Sequence, residues 1–205
     1  MNGKVVGLIV LEPKSHETVK NLGIMLKKLG VKRVILATGD PEESDVRRVF
    51  DQVKADTYFF GMTPRDKKNL ILKLKKEALT VTMIGDGVND LMALTAAHVG
   101  VGVVDKKSFL VSPVDTVIFN EDVPTSILRL KFISNEAIKV IKQNYAIAAL
   151  FNSIGIFLAL IGFLNPILAS ILHHFNSIFV VSNATRLLRI NKKLNELRNK
   201  VMISS

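Results

Sequence analysis

Residues 81–104, VTMIGDGVNDLMALTAAHVGVGVV, set the terms on which the whole chain is read. Residues 81–84 form an apolar run that stops at Gly-Asp-Gly. A run of that kind is expected to be a buried strand of a parallel α/β sheet, where ligands gather at the carboxyl ends of the strands. Residues 91–97 are then expected to be a helix and residues 99–104 a second strand. The loop between, Gly85-Asp86-Gly87-Val88-Asn89-Asp90, presents two carboxylates and an amide at one sheet edge. Hard cations such as Mg²⁺ take oxygen ligands of this type, one or two carboxylates plus phosphate and water. Gly-Asp-Gly and Asn-Asp are also ordinary turn formers, so the loop by itself leaves a plain turn open.

The segments before this loop predict the same architecture. Residues 4–11, KVVGLIVL, read as a buried strand. A helix starting near Ser15 and Thr18 would carry Val19, Leu22, Met25, Leu26 and Leu29 on one face and end at Gly30. Residues 34–37 give the next strand, so the first third is a βαβ unit. At that strand's end lies Thr38-Gly39-Asp40, whose hydroxyl and amides suit phosphate oxygens. Residues 41–53 read as a helix with Glu42 and Glu43 at its positive end. Tyr58-Phe59-Phe60 reads as a short buried strand. Thr63 and Pro64 are the N-cap and first residue of a helix with Leu70, Ile71 and Leu74 on its core face. On local grounds alone Lys67, in that helix, reads as a solvated charge.

Three strings together carry a family resemblance. GDGVNDLMAL (residues 85–94) resembles the hinge signature GDGxNDxxAL of the P-type cation ATPases, members of the haloacid dehalogenase-like superfamily. TPRDKKNLI (residues 63–71) resembles that family's TPxDKxxxI element, and Thr38-Gly39-Asp40 its strand followed by TGD after a Leu-Gly pair, here Leu29-Gly30. The three occur in the family's order. The resemblance implies an α/β, Rossmann-like parallel sheet in which Thr38 contacts the transferred phosphoryl group and Lys67 neutralises its charge. Asp86, with Asp90, would hold Mg²⁺, while Asn89 and Asp90 orient the loop toward phosphate. Phosphoryl transfer is mainly positioning and charge neutralisation by such groups.

Composition divides the chain. The net charge is +10, cysteine is absent, and no Lys, Arg, Asp or Glu occurs from Gln143 to Thr185. That gap of roughly 43 residues is long enough for two spans of about 20 residues each. The basic residues lie on helix faces and crowd beside the gap, which argues for a cytoplasmic flank rather than a nucleic-acid surface. No thiolate metal site or disulfide framework is possible, and no cleavable leader is expected at Met1. The expected division is a partial phosphorylation domain over 1–124, ending in a strand at 116–119, and a helical stalk over 125–144. A transmembrane hairpin follows over 145–188, turning at Asn165-Pro166, and then a basic tail over 189–205. Lys139 and Lys142 before the hairpin and Arg186, Arg189, Lys192 and Lys193 after it predict a two-span membrane protein with both ends in the cytosol.

Within the hairpin, polar side chains are expected to bond between helices or to mark an ion route. The first expectation covers Ser153, Ser182 and Asn183. The second covers Asn152, His173, His174 and Asn176, imidazole being a common transition-metal ligand. The hairpin resembles that of the heavy-metal subgroup, whose final span is followed by an Asn-Ala-Leu-Arg-Leu-like element, here Asn183-Ala184-Thr185-Arg186-Leu187. In copper members a Tyr-Asn pair stands where this chain has Phe151-Asn152, and Met-x-x-Ser-Ser where it has His173-His174-Phe175-Asn176-Ser177. The zinc and cadmium members carry a lysine and an aspartate that are missing here. The chain fits neither pattern; its His-Asn-Ser set points to a borderline divalent ion and leaves the specificity open.

The family's Asp-Lys-Thr-Gly-Thr, bearing the phosphorylated aspartate, does not occur, and Asp105-Lys106-Lys107 lacks its continuation and its place in the order. The favoured expectation is a C-terminal part of an ATP-driven heavy-metal transporter, inactive alone. ATP would matter only if the N-terminal half is supplied. The alternative is a non-enzymatic, membrane-anchored module that binds metal or regulates a complete pump. An independent phosphatase ranks last, because covalent catalysis needs the missing nucleophile.

Overall fold

The computed structural model describes residues 5–9, 20–86, 89–104, 114–119 and 122–189. Gly87 and Val88 of the acidic loop, Ser15, Thr18 and Val19 of the first expected helix, Asp105-Lys106-Lys107 and the basic tail from residue 190 on, with Lys192 and Lys193, lie outside the described residues. The chain divides into two units, 1–129 and 130–205.

The first unit is built on a six-stranded sheet. Its strands are β1 (Val5–Ile9), β2 (Val34–Ala37), β3 (Thr57–Phe59), β4 (Thr80–Gly85), β5 (Val99–Val104) and β6 (Thr116–Phe119), in the order β3-β2-β1-β4-β5-β6. Every pairing is parallel. Parallel neighbours need long crossovers, and here helices α1 (Leu22–Lys28), α2 (Glu43–Val53), α3 (Pro64–Lys76) and α4 (Leu91–Ala96) lie between successive strands. The chain steps outward from β1 to β3, then returns to the other side of β1 with β4. Strands β2 and β4, which carry Thr38 and Asp86 at their carboxyl ends, therefore flank β1. A reversal of this kind opens a crevice at the carboxyl edge.

All four residues of β2 are buried, as a doubly covered parallel strand requires. The core that positions the site joins Ile35 and Ala37 of β2, Ile71 and Leu74 of α3, Val81 and Met83 of β4, and Ala93 and Leu94 of α4. Gly30, just past the C-cap Leu29, ends α1 with a φ of 90°, a conformation open to glycine at little cost. One expectation is corrected here. The strand at residues 57–59 is not buried, because it lies at the sheet edge and leaves Phe59 and the following Phe60 exposed.

The second unit consists of helices. α5 (Val123–Leu160) is one uninterrupted helix of 38 residues that begins in the first unit and passes through Gln143-Asn144 without a break. It ends at Leu160, and Gly162, with a φ of 72°, lies in the turn that follows. Asn165 then caps α6 (Pro166–Ala184), accepting a hydrogen bond from the Leu168 amide at 2.8 Å, with Pro166 at the first helical position. A 3-10 helix, Thr185–Arg189, follows. Both α5 and the segment Pro166–Leu188 are long and apolar enough to cross a membrane.

Candidate phosphate and cation site

Four parts of the first unit bring the expected residues to the carboxyl edge of the sheet. Thr38 follows β2 directly, Asp86 follows β4, Lys67 lies in the first turn of α3, and Asp90 stands immediately before α4.

Lys67 and Asp90 meet. The ammonium Nζ donates to Asp90 Oδ1 at 2.7 Å, and the two residues are only 7% and 2% exposed. Burial of Lys67 follows from the helix itself, since Lys67, Ile71 and Leu74 recur at i, i+4 and i+7 on the one buried face of α3. A charge buried this way requires a partner, and Asp90 is that partner. Its carboxylate is held close by Gly85. A Cβ added there would stand 2.5 Å from Asp90 Oδ2 and 2.7 Å from Asp90 Cβ, so only glycine admits the carboxylate. The first glycine of the GDG string is thus a packing requirement of the ion pair. The periodicity that buries Lys67 is present in the sequence, but its partner is not: local grounds make Lys67 a solvated charge, and the resemblance gives Lys67 and Asp90 separate phosphate-directed roles.

The start of α3 is fixed independently. Thr63 Oγ1 accepts from the Asp66 amide at 3.2 Å while the Asp66 carboxylate accepts from the Thr63 amide at 3.0 Å, a reciprocal capping box. The Thr63 hydroxyl also donates to that carboxylate. These bonds, the hydroxyl's first, hold the Asp66 carboxyl below the ordinary carboxylate value. The cap locks the turn from which Lys67 projects.

The Thr38 loop is equally determined. Thr38 is 7% exposed, and its amide donates to the Phe59 carbonyl while its own carbonyl accepts from the Met62 amide, both at 3.0 Å. Its hydroxyl accepts from the Asp40 amide at 3.1 Å, and Asp40 Oδ1 accepts from the Glu42 amide at 2.9 Å. Asp40 thereby spends one carboxylate oxygen on the entry to α2. Gly39 between them is exposed.

Asp86 and Asn89 are exposed, and the Asp86 carboxylate has no hydrogen bond or ion pair among the described residues. An uncommitted carboxylate at a strand's carboxyl end is the donor a hard cation requires, so the residues present fit Mg²⁺. Among the described residues no group of three or more His, Asp or Glu side chains converges as a metal-binding cluster.

In the second unit, Asn152, His173 and His174 are exposed and Asn176 is half-buried. His174 Nδ1 lies 2.7 Å from the Ser170 carbonyl oxygen of its own helix, and its ring stands edge-on to that of His173. Asn176 Oδ1 is buried without a hydrogen-bond partner. Asn183 does bond across to α5, as expected for a small polar residue in a hairpin. Among the described residues no such interhelical bond is made by Ser153, which is exposed, while Ser182 bonds through its carbonyl to the Thr185 hydroxyl.

Residues 2–98 match the haloacid dehalogenase-like hydrolase family. The chain is 32% identical over 190 residues to a manganese-exporting P-type ATPase of Mycobacterium leprae, covering 92% of this chain and 26% of that protein. It is 35% identical over 192 residues to a probable copper-importing P-type ATPase of Enterococcus hirae, covering 93% and 26%. The chain thus spans about a quarter of the length of the curated relatives it matches. The crystal structure of a zinc-transporting PIB-type ATPase in its E2.Pi state shares the fold, with a TM-score of 0.74 and 23% identity over 86% of this chain and 28% of that one.

Proposed function

We propose, from the premise that this chain is related to the C-terminal portion of the metal-transporting P-type ATPases and carries their haloacid dehalogenase-like sheet, that it supplies the cation-holding half of a phosphoryl-transfer site together with two spans of a metal-ion path. The observation that carries the reading is the buried Lys67–Asp90 pair, which lies at the same sheet edge as Thr38 and Asp86.

Each residue then has a distinct task. Asp86, exposed and uncommitted, holds Mg²⁺, whose charge offsets that of a phosphoryl group. Lys67 keeps N–H donors beyond the one given to Asp90, and Asp90 aims them. Thr38 offers its hydroxyl and Asn89 its amide to phosphate oxygens. Gly39 leaves the backbone beside Thr38 uncovered, and Asp40 fixes the loop's exit into α2. Preorganised donors and charges of this kind are the main means by which such sites lower a barrier. The acceptor aspartate would come from outside these 205 residues, as would the nucleotide site, and ATP becomes relevant only with that partner portion.

The domain division that accompanies this reading is 1–124, 125–144, 145–188 and 189–205. The two spans would have both ends in the cytosol, since basic residues flank the hairpin on both sides. Asn152, His173, His174 and Asn176 are the candidate ligands of the transported ion. Asn176 Oδ1 lacks a partner, and Nδ1 of His174 lies within bonding distance of a carbonyl, so Nε2 is available to a metal. The relatives' names span manganese and copper, and the ion is left open accordingly.

The test uses the full chain in detergent. Binding of a phosphate analogue should require Mg²⁺ and vanish in Asp86→Ala, while incubation with ATP alone should yield no acid-stable phosphoenzyme. Unchanged Mg²⁺-dependent binding in Asp86→Ala would sink the assignment.

A further inference from the structure

The hairpin closes in a polar clasp that phosphoryl transfer does not use. Asn183, near the end of α6, donates through Nδ2 to Asn144 Oδ1 at 2.9 Å and Gln143 Oε1 at 3.2 Å on α5. Arg186, in the following 3-10 helix, donates through Nη1 to Gln143 Oε1 at 3.2 Å and Asn183 Oδ1 at 3.0 Å. The clasp sits where charge resumes. Lys142 is the last charged residue before the uncharged stretch and Arg186 the first after it. Among the described residues, Nε and Nη2 of Arg186 make no hydrogen bond, and neither does the exposed Lys142 beside Gln143.

Acid is what this end of the hairpin lacks. Between Glu136 and Glu196 the sequence has no Asp or Glu, yet Lys139, Lys142, Arg186, Arg189, Lys192 and Lys193 all fall in that interval. Glu136 is bonded to Lys139 at 2.7 Å. Large apolar side chains lie within three residues of the two cations in sequence, with Tyr145 74% exposed on α5 and Leu188 83% exposed in the 3-10 helix. We infer that the clasp end of the hairpin, through Arg186 and Lys142, binds the phosphate headgroup of an anionic phospholipid. A guanidinium anchored on one nitrogen keeps the rest of its planar fork for phosphate oxygens and loses less rotamer freedom in binding them. Basic clusters flanking spans attract anionic headgroups in just this setting. Free phosphate offers the same charge, but exposed Tyr145 and Leu188 provide apolar surface for a lipid's chains. The inference rests on the reading of α5 and α6 as spans.

The experiment places the full chain in bilayers of phosphatidylcholine with added phosphatidylglycerol and measures co-purifying lipid by native mass spectrometry. Phosphatidylglycerol should be enriched over phosphatidylcholine. Arg186→Gln should reduce that enrichment about fivefold. Lys142→Gln, which breaks no described hydrogen bond, should reduce it similarly, and Lys139→Gln, already paired with Glu136, should leave it unchanged. Equal retention of the two lipids by the inserted wild-type chain would overturn the inference, as would full enrichment in both Arg186→Gln and Lys142→Gln. Competition by millimolar inorganic phosphate would assign the site to a free anion and overturn it too. Release of the chain from membranes by alkaline carbonate would instead refute the spans themselves.

Discussion

The two units of this chain treat apolar and polar groups in opposite ways. In the sheet unit, Ile71, Met83 and Leu94 are buried to 2% exposure or less, and the charges of Lys67 and Asp90 are buried with them. In the hairpin, Phe157, Ile167 and Val181 are each more than 60% exposed, and among the described residues its side-chain bonds between α5 and the segment that follows gather at the clasp where charge returns. The sheet unit makes its own apolar interior, so a charge inside it must be paired with another side chain. The hairpin, whose two helices are long and apolar enough to cross a membrane, leaves its large apolar side chains uncovered, and its charges stand only at its ends.

The largest test of this contrast is Asp90→Ala. Removing one partner of a buried pair typically costs about 3–5 kcal/mol, read as lost resistance of the sheet unit to urea. The paired replacement Lys67→Met with Asp90→Leu should recover most of that loss, and failure to recover it would mean the charges do more than neutralise each other. Next comes packing. Leu94→Ala should destabilise the sheet unit by about 2–5 kcal/mol, whereas Ile167→Ala, at a site 73% exposed, should change chain stability in detergent by no more than about 0.5 kcal/mol. Equal costs would erase the distinction between the two interiors. A smaller effect is expected at the clasp, where Asn183→Ala should weaken the hairpin by about 0.6 kcal/mol, the usual size for a hydrogen bond between membrane helices. The smallest concerns the α3 cap. Because the Asp66 carboxyl is held below its ordinary value of 3.8, its contribution is present above that pH and disappears as pH falls through the lower folded value. Amide-exchange protection in the first turn of α3 should drop only below that range, and Asp66→Asn should remove the pH dependence.

Strands β2, β4 and β5, the turns that follow β2 and β4 and the capped start of α3 were legible because parallel strands carry unbroken apolar runs and their ends carry dense turn and cap chemistry. The exposed edge position of β3 was not, since Tyr58-Phe59-Phe60 is as apolar as a central strand and position in the sheet is a long-range property. The Lys67–Asp90 bond was hidden for a similar reason: the residues lie 23 apart in sequence, and only the docking of α3 and α4 on one core joins them. The passage from stalk to hairpin expected at residues 144–145 falls within the continuous helix α5. The side-chain amides of Gln143 and Asn144 serve there as acceptors for Asn183 and Arg186.

The central place of β1 has a consequence for assembly. Its pairing with β2, Gly7 against Val34, draws on the first few dozen residues, but its other edge, Val5 against Thr80, waits for β4. Pairings between such distant segments form slowly. Until residues 80–84 arrive, β1 presents open backbone donors and acceptors in the middle of the future sheet, the kind of edge on which chains join to one another. Aggregation of the sheet unit during refolding should therefore be governed by the arrival of β4.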